Sequence, residues 1–287
     1  MSNLQQPAKH LPELPEVESV VRGLARSLPG HRVQRTEVRR PDVVPGGAHR
    51  LQRNLKGARM VSVRRRAKNI VIQLAPDGIL AVNLGMTGRL LYFRNGRSAR
   101  TSHPAVRFHL DQGSRLIFDD VRRFGTVECM TDAEWSTRDV RLGPEPLSDD
   151  FTPDRLMDGL ARSRSPLRSW LLDQRKVAGV GNIYANEALF LAELHPQRSA
   201  NTVDRARAEA LYQGLRLTLS EAVELGGTTL RDYVDSEGRR GQYASNLRVY
   251  GREGLPCLRC QDPVVRSVFG GRSAFHCPSC QPRSVST

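Results

Sequence analysis

The chain has 287 residues, of which 39% are hydrophobic and 26% are charged, a composition typical of globular proteins. No apolar run approaches the ~18 residues that a membrane helix needs. The opening MSNLQQPAKHL lacks the apolar core of a secretory signal, so we expect a cytoplasmic protein. Lys and Arg number 44 against 30 Asp and Glu, a net charge of +14. This charge suits a nucleic-acid partner, although an Arg-rich proteome would give the same balance.

The N-terminal half is predicted to contain one helix followed by short strands. After Pro15, apolar residues recur at helical spacing as far as Leu28, and Pro29-Gly30 ends the pattern. Between about 33 and 130 lie six β-rich segments: NIVIQL, ILAVNL, RLLYF, AVRFHL, RLIFDD and GTVECM. Short strands at this close spacing predict a β-sandwich. Cys129, alone in this region, is predicted to be a small buried apolar residue.

The C-terminal half begins with LGPEPLSDDF, residues 142–151, which are predicted to be a linker. Helical periodicity returns from about 152 to 225, with one helix from Leu156 and others over SWLLDQRKVAG, YANEALFLAEL and DRARAEALYQGLRLTLSEAVEL. The GVGN turn before the third of these could offer backbone N–H groups to a phosphate, or could simply be a helix-stop glycine. Residues 226–251 mix Gly, Arg and Tyr without a period and predict a mobile loop.

Four cysteines near the C-terminus form the strongest motif. Cys257 and Cys260 make one C-x2-C pair, and Cys277 and Cys280 make another, sixteen residues later. Two such pairs supply the four thiolates of a closed tetrahedral Zn²⁺ site, in which the metal is structural. The intervening PVVRSVFGGRSAFH predicts a β-hairpin that turns at Gly-Gly, so we predict a zinc ribbon. Two disulfides are the alternative, which a cytoplasmic setting disfavours.

Several segments in this order resemble the formamidopyrimidine-DNA glycosylases over about residues 12–282. They are PELPEVE, LGMTG, RRFG, LGPEPLSDDF, VAGVGNIYANEALF, GGTTLRDY, RVYGREG and the cysteine ribbon. Leu14 favours this branch, because the related endonuclease VIII branch usually begins with a PEGPE-type motif. The resemblance implies an α+β multidomain fold. Its parts are an N-terminal two-sheet β-sandwich (12–141), a helix–two-turn–helix DNA-binding domain with a lesion loop (152–247) and a C-terminal β-hairpin zinc ribbon (250–282).

The resemblance also implies a bifunctional DNA glycosylase and AP lyase. Such an enzyme excises 8-oxoguanine and formamidopyrimidines from double-stranded DNA through a proline Schiff base, and cleaves the strand by β,δ-elimination. We therefore expect a monomer with one structural Zn²⁺, no membrane partner, and a place at the nucleoid of a bacterium. Three alternatives stay open: a catalytically silent lesion- or junction-binding relative, an oxidised-pyrimidine (endonuclease VIII-like) glycosylase, and a zinc-ribbon ribosomal or transcription protein.

The resemblance assigns the catalytic set to Pro12, Glu13 and Lys68. Pro12 matches the terminal proline nucleophile, Glu13 its acid–base partner, and Lys68 the lysine that contacts phosphate beside the lesion. A free α-amine titrates near pH ~8, which leaves a useful neutral fraction, whereas Pro12 joined to Leu11 is an amide and cannot attack. Either translation starts at Leu11, read as a methionine that is later removed, or the leading residues are real and require trimming or abolish catalysis. We expect the first.

Flipping a base out of a duplex leaves a void that side chains must fill. The resemblance assigns this role to Met86, Arg122 and Phe124, with Arg122 also bonding the orphaned cytosine. Core packing is the alternative for Met86 and Phe124. A further group is expected to contact DNA: His103, Arg122, Arg168, Asn182, Arg231 and Arg272.

The chain departs from the family pattern at four of its motif positions. Asn83 stands where a histidine is usual, Ala105 replaces a second histidine, Val121 replaces a proline, and Arg168 replaces a lysine. The arginine keeps the charge but not the geometry. Glu187 matches a family carboxylate near the active pocket, and a purely structural role is the alternative for it.

Overall fold

The structure of the protein, a computed structural model, describes residues 11–95, 101–229 and 233–283. The chain divides into two compact units. We call Leu11–Arg141 with Val223–Gln242 the sandwich unit. The described residues of Leu142–Ala222 and Tyr243–Thr287 form the ribbon unit. The predicted division into three domains stays a prediction.

The described residues of the sandwich unit form two four-stranded antiparallel sheets and three α-helices. In one sheet the strand order is β1-β6-β7-β5, with β1 at Val33–Val38, β6 at Pro104–Leu110, β7 at Arg115–Asp120 and β5 at Gly88–Phe93. In the other the order is β2-β3-β4-β8, with β2 at Arg59–Arg66, β3 at Asn69–Ala75, β4 at Ile79–Asn83 and β8 at Thr126–Met130. The helices are α1 (Leu14–Ala25), α2 (Ala48–Leu55) and α3 (Asp132–Asp139).

The core of the sandwich unit follows the alternation of its strands. On β3, Ile70 and Ile72 point into the main core, where they join Phe108 and Phe118 of the facing sheet and the apolar side of α1. Val71 points to the opposite face, into a smaller cluster with Trp135 of α3. The period of two therefore buries both faces of this sheet, and the predicted two-sheet sandwich is confirmed.

The ribbon unit is helical at first and ends in a strand pair. Its helices are α4 (Pro153–Ala161), α5 (Leu167–Leu172), α6 (Asn182–Leu191) and α7 (Arg205–Glu224), and its strands are β9 (Val265–Phe269) and β10 (Arg272–His276). Gly270 and Gly271 both have positive φ, as a two-residue hairpin turn requires. None of the helices in the described ranges is both long enough and apolar enough to cross a bilayer.

Three local predictions are wrong. The helix predicted over SWLLDQRKVAG ends at Leu172, because Asp173 is extended and its carboxylate accepts the backbone N–H of Arg175, which forms a side-chain turn. The eight-residue helix α2 lies in the region predicted to be strands only, and α3, directly after that region, was not predicted. The described residues of the segment 226–251 are largely irregular, as predicted, but several of them, including Val249 and Tyr250, are buried.

Candidate active site and nucleic-acid interface

The start of α1 brings together the first two predicted catalytic residues. Pro12 and Glu13 are both buried, and Glu13 is the N-cap of the helix. Glu16, in the first turn, accepts the backbone N–H of Glu13 at 2.8 Å and completes a capping box. The local sequence thus fixes the backbone that carries the predicted nucleophile.

Glu16 also ties this helix to a segment more than two hundred residues later. Its second carboxylate oxygen accepts the backbone N–H of Thr228 at 2.6 Å, and its carbonyl accepts the hydroxyl of Tyr233 at 2.9 Å. A Cβ added at Gly227 would lie 2.8 Å from the Glu16 carboxylate, so this close approach requires glycine. Thr228 and Tyr233 flank Arg231, a predicted DNA contact that lies outside the described residues.

Lys68 occupies the two-residue turn between β2 and β3. Its neighbour Ala67 has φ +53°, a left-handed conformation. Asn83 donates to the carbonyl of Lys68 at 3.3 Å and accepts the backbone N–H of Gly85 at 3.0 Å. Asn83 therefore connects the turn that carries Lys68 with the loop that carries Met86. This internal role explains what the asparagine does in place of the usual histidine.

The predicted void-filling residues lie on two loops of the sandwich unit. Met86 lies in residues 84–88, the LGM loop, and is half-buried. Arg122 and Phe124 lie in residues 121–125, the RRF loop, where Phe124 is 58% exposed and the Arg122 guanidinium lies 4.9 Å from the centre of its ring. Core packing, the alternative for Phe124, is therefore wrong. An exposed aromatic ring can stack on a base, and an arginine beside the ring can donate to the edge of a base.

His103 is exposed at the edge of the sandwich unit, directly before β6. Its backbone N–H donates to Asp119 at 2.6 Å, and its carbonyl accepts the N–H of Asp120 at 3.0 Å. The side chain is thus presented to solvent from a fixed backbone. Ala105, by contrast, is fully buried, and its carbonyl accepts the N–H groups of Arg39 and Arg40.

Arg168 of α5 is 1% exposed, and its guanidinium bonds to neutral groups. It donates twice to the Asn182 side-chain oxygen, at 2.7 and 3.1 Å, and to the carbonyls of Ser273 at 3.1 Å and Phe269 at 3.3 Å. Burial, and then the positive charge of Arg272, lower the pKa of this guanidinium. Its donors face the ribbon hairpin, which does not support the predicted direct phosphate contact.

Asn182 begins α6 and takes part in the same cluster. Its side-chain nitrogen donates to the Ser273 carbonyl at 2.9 Å, and Asn186 one turn later accepts the Phe275 N–H at 2.8 Å. Arg272 is the first residue of β10 and is exposed beside the Gly-Gly turn. The structure thus brings together two predicted DNA contacts, Arg168 and Asn182, and the strand that carries a third, Arg272.

The four C-terminal cysteines converge, with all four sulfur atoms within 4.8 Å of one another. No disulfide links them, and each is a free thiol within the described ranges, so the disulfide alternative is wrong. The Sγ atoms of Cys257 and Cys280 are 3.8 Å apart, and those of Cys260 and Cys277 are 3.4 Å apart. A tetrahedral site with Zn–S bonds of ~2.3 Å has sulfur separations of roughly 3.8 Å. The cluster can therefore hold a metal ion.

Glu187 of α6 is fully buried, and its carboxylate accepts three consecutive backbone N–H groups, those of Arg248, Val249 and Tyr250, at 2.8–3.0 Å. Burial raises the pKa of this carboxyl, and the three N–H bonds oppose that shift. These contacts support the structural role that was the alternative for Glu187. Cys129 is half-buried, and burial raises the pKa of its thiol.

Two acidic residues of the site were not singled out in the sequence. Glu16 links α1 to Thr228, and Asp120 bonds both the LGM loop and the RRF loop. The capping-box spacing from Glu13 to Glu16 was a usable signal for the first. Asp120 carried no such signal, because its link to the LGM loop depends on Thr87, 33 residues earlier in the chain.

Sequence comparison identifies two matching families of domain. The formamidopyrimidine-DNA glycosylase N-terminal domain matches residues 11–127, and the formamidopyrimidine-DNA glycosylase H2TH domain matches residues 142–234. Curated relatives include the formamidopyrimidine-DNA glycosylases of Ruegeria pomeroyi and Heliobacterium modesticaldum. Each is 42% identical, over alignments that cover 94% of this chain and 100% of the relative.

Solved structures agree with these relatives. A complex of a Lactococcus lactis FPG mutant with a Fapy-dG-containing DNA has a TM-score of 0.88 at 31% identity, covering 94% of this chain and 100% of that chain. A complex of Lactococcus lactis Fpg with an abasic-site-containing DNA has a TM-score of 0.87 at 31% identity, covering 94% of this chain and 99% of that chain. The predicted family is confirmed: this chain belongs to the formamidopyrimidine-DNA glycosylases.

Proposed function

We propose that this chain is a bifunctional DNA glycosylase and AP lyase that removes oxidised purines, 8-oxoguanine and formamidopyrimidines, from double-stranded DNA. Its family membership supports this, as do the related structures solved with Fapy-dG and abasic-site DNA. The net charge of +14 suits a phosphate backbone. The observation that carries the proposal is the start of α1, where Pro12 and Glu13 precede a helix whose Glu16 fixes the Glu13 backbone.

The proposed reaction uses Pro12 as a secondary amine. Its nitrogen lone pair attacks C1′ of the damaged nucleoside and forms the N–C1′ bond. The glycosidic bond breaks, and the base leaves with the electron pair of that bond and gains a proton. Ring opening then gives an iminium ion between Pro12 and C1′. This cation acidifies the neighbouring sugar protons, so that β- and then δ-elimination expel the two phosphates. Glu13 is the proposed proton carrier at the sugar.

The reaction requires a working form in which Pro12 is the terminal residue, because an amide nitrogen has no available lone pair. The N-terminal family domain begins its match at residue 11, which supports this assignment. We propose that Leu11 marks the position of the initiating residue, and that its removal exposes the amine. Glycosylase chemistry at C1′ then needs no strongly perturbed lysine, since an α-amine titrates near pH ~8.

The remaining site residues are proposed to bind and reshape the DNA. Lys68 contacts the phosphate beside the lesion. Met86, Arg122 and Phe124 fill the void, with Arg122 bonding the orphaned cytosine. His103, Asn182, Arg231 and Arg272 contact the backbone. We propose that Arg168 supports this interface through Asn182 and the ribbon hairpin, since its donors are directed at them.

We propose that the cysteine cluster binds one structural Zn²⁺. Four thiolates leave no open coordination position, so the ion would hold the hairpin and take no part in the reaction. The backbone N–H groups of Arg259 and Cys280 donate to the sulfurs of Cys257 and Cys277, an arrangement that stabilises thiolates. We propose that the protein acts as a monomer on nucleoid DNA in the bacterial cytoplasm, as its bacterial relatives suggest.

The proposal is tested by comparing two chains, one beginning at Pro12 and one with all 287 residues. Each is incubated with an 8-oxoguanine duplex, and borohydride is added to trap the imine. We expect strand cleavage and a trapped adduct on Pro12 from the shorter chain only. Binding without cleavage by both chains would indicate the catalytically silent alternative. A preference for oxidised pyrimidines in the same assay would indicate an endonuclease VIII-like enzyme. A trapped adduct on a chain that retains residues 1–11 would overturn the assignment of Pro12.

A further inference from the structure

Asp120, at the end of β7, is 1% exposed and lies between the LGM loop and the RRF loop. One carboxylate oxygen accepts the Thr87 hydroxyl of the LGM loop at 2.5 Å and the Arg122 N–H of the RRF loop at 3.2 Å. The other accepts the Gly125 N–H at 2.9 Å. A single buried carboxylate thus bonds to both loops.

The two loops also touch directly. The Thr87 hydroxyl oxygen accepts the Arg122 N–H at 3.0 Å while its proton goes to Asp120. A Cβ added at Gly85 would lie 2.4 Å from the Gly125 nitrogen, and one added at Gly125 would lie 2.6 Å from the Asn83 carbonyl. The backbones are therefore so close that only glycine fits at either position, and a small change in one loop must move the other.

The Asp120 carboxylate holds an unfavourable backbone conformation in the RRF loop. Arg123, between Arg122 and Phe124, has φ +58°, a left-handed conformation that is unfavourable for a residue with a side chain. Such conformations persist where the surroundings fix them. The bonds from Asp120 to Arg122 and Gly125 bracket this residue. They therefore hold the turn that directs Arg122 and Phe124 outward.

We propose that Asp120 is a positioning residue for void filling, because it fixes Met86 and the Arg122–Phe124 pair relative to each other. It touches neither the sugar nor the base and acts only through the two loops. This inference rests on the proposed function, since it concerns the step in which the enzyme enters the duplex. Its consequence is selective: a reaction that requires no void to be filled should not depend on Asp120.

The test compares the chain beginning at Pro12 with its Asp120→Asn variant on two substrates. An amide cannot accept at both positions, so it breaks one of the links. We expect base excision from an 8-oxoguanine duplex to fall about 10–100-fold, since small misplacements have effects of this size. Cleavage of a single-stranded abasic oligonucleotide should stay within about twofold, because it has no stacked partner to replace. A parallel loss on both substrates, or no loss on either, would overturn the proposal.

A fluorescence measurement reports the void filling itself. In a duplex with an abasic-site analogue opposite 2-aminopurine, insertion of the loops unstacks the probe and raises its emission. The wild-type chain should produce this rise, and Asp120→Asn should lose most of it at saturating protein. Thr87→Val removes the hydroxyl bonds to Asp120 and Arg122, keeps the side-chain shape and leaves the bonds from Asp120 to the RRF loop, so it should lose part of the rise.

Asp119→Asn is the matched control. Asp119 is also a buried carboxylate of β7, but it bonds Arg89 and the His103 backbone and neither loop. Its variant should keep the wild-type fluorescence rise, and an equal loss in both variants would contradict a specific role for Asp120. If the wild-type chain cleaves neither substrate, the proposed function fails, whereas the fluorescence comparison still decides the role of Asp120.

Discussion

Each unit contains a buried charged side chain that bonds several backbone groups, a carboxylate in the sandwich unit and a guanidinium in the ribbon unit. In the sandwich unit, Asp120 accepts the backbone N–H groups of Arg122 and Gly125. In the ribbon unit, Arg168 donates to the carbonyls of Phe269 and Ser273. In each unit the sign of the charge matches the backbone groups that it bonds, because a carboxylate accepts N–H groups and a guanidinium donates to carbonyls. Buried backbone groups must be paired, and here charged side chains satisfy several at once.

The largest effect is expected from loss of the metal, which should unfold part of the ribbon unit and leave the sandwich unit folded. Cys277→Ser, or removal of the ion with a chelator, should unfold the ribbon hairpin, because structural zinc supplies ~10–16 kcal/mol of apparent binding energy in small domains. We expect duplex affinity to fall about 100-fold or more, since Arg272, a proposed DNA contact, is displaced with the hairpin. Amide hydrogen exchange should show β9 and β10 exposed and the sandwich strands still protected.

Cys129→Ser is the control for that experiment, because Cys129 lies in the sandwich unit, outside the cluster. It should leave duplex affinity and metal content unchanged. Equal loss of protection in both units after chelation would contradict a metal that stabilises only the ribbon.

The next largest effect is expected on replacing Arg168, the buried cation of the ribbon unit. Arg168→Met removes all four bonds that the guanidinium makes to Asn182, Phe269 and Ser273, and should lower the free energy of unfolding by about 3–5 kcal/mol. Arg168→Lys, which restores the usual family residue, should recover part of this loss, because one ammonium cannot reproduce four directed bonds. Urea denaturation of the metal-loaded protein measures both.

Arg205→Met is the surface control in the same unit. Its ion pair with Asp154 is largely exposed, so the change should lower the free energy of unfolding by less than about 1 kcal/mol. A loss as small as this for Arg168→Met would show that the buried guanidinium is not what holds the hairpin.

The smallest expected effect concerns Glu187, a buried carboxylate in the ribbon unit that accepts three backbone N–H groups. Its pKa is raised in the folded protein, so the folded state binds more protons than the unfolded one. The stability that Glu187 contributes is therefore present below the unfolded pKa and is lost as pH rises through the folded pKa. Glu187→Gln should flatten this dependence, and should lower stability by about 1–3 kcal/mol through loss of one acceptor.

The measurement is the free energy of unfolding from about pH 5.5 to about pH 8 for both proteins, at saturating metal. The difference between wild type and Glu187→Gln should shrink as pH rises. Profiles that run parallel would mean that the Glu187 carboxyl does not titrate in this range.

The elements with strong local patterns could be predicted from the sequence. The period of α1, the alternation of β3 and the spacing of the four cysteines each depend on neighbouring residues alone. The helices α2 and α3 were missed, because eight residues are barely two turns and give too few apolar positions to establish a period.

The contacts that organise the site could not be predicted, for a physical reason. Asp120 meets Thr87 because β5 and β7 are paired in one sheet, which places the residue before β5 beside the end of β7. Arg168 was expected to contact DNA, because it stands in place of a lysine of the family pattern. Its burial depends on the ribbon hairpin, about a hundred residues later. Charge predicted what these residues attract, but tertiary packing decided which partners they meet.

The carboxylate of Glu16 joins two segments 212 residues apart in the chain. At ~5–20 residues per second, a ribosome takes about 10–40 s to travel between them. The helix α1 leaves the exit tunnel early, yet Glu16 can bond Thr228 only after most of the polypeptide has been made. A nascent chain of the first 141 residues therefore lacks the bond between Glu16 and Thr228, and the start of α1 gains this contact only late in synthesis.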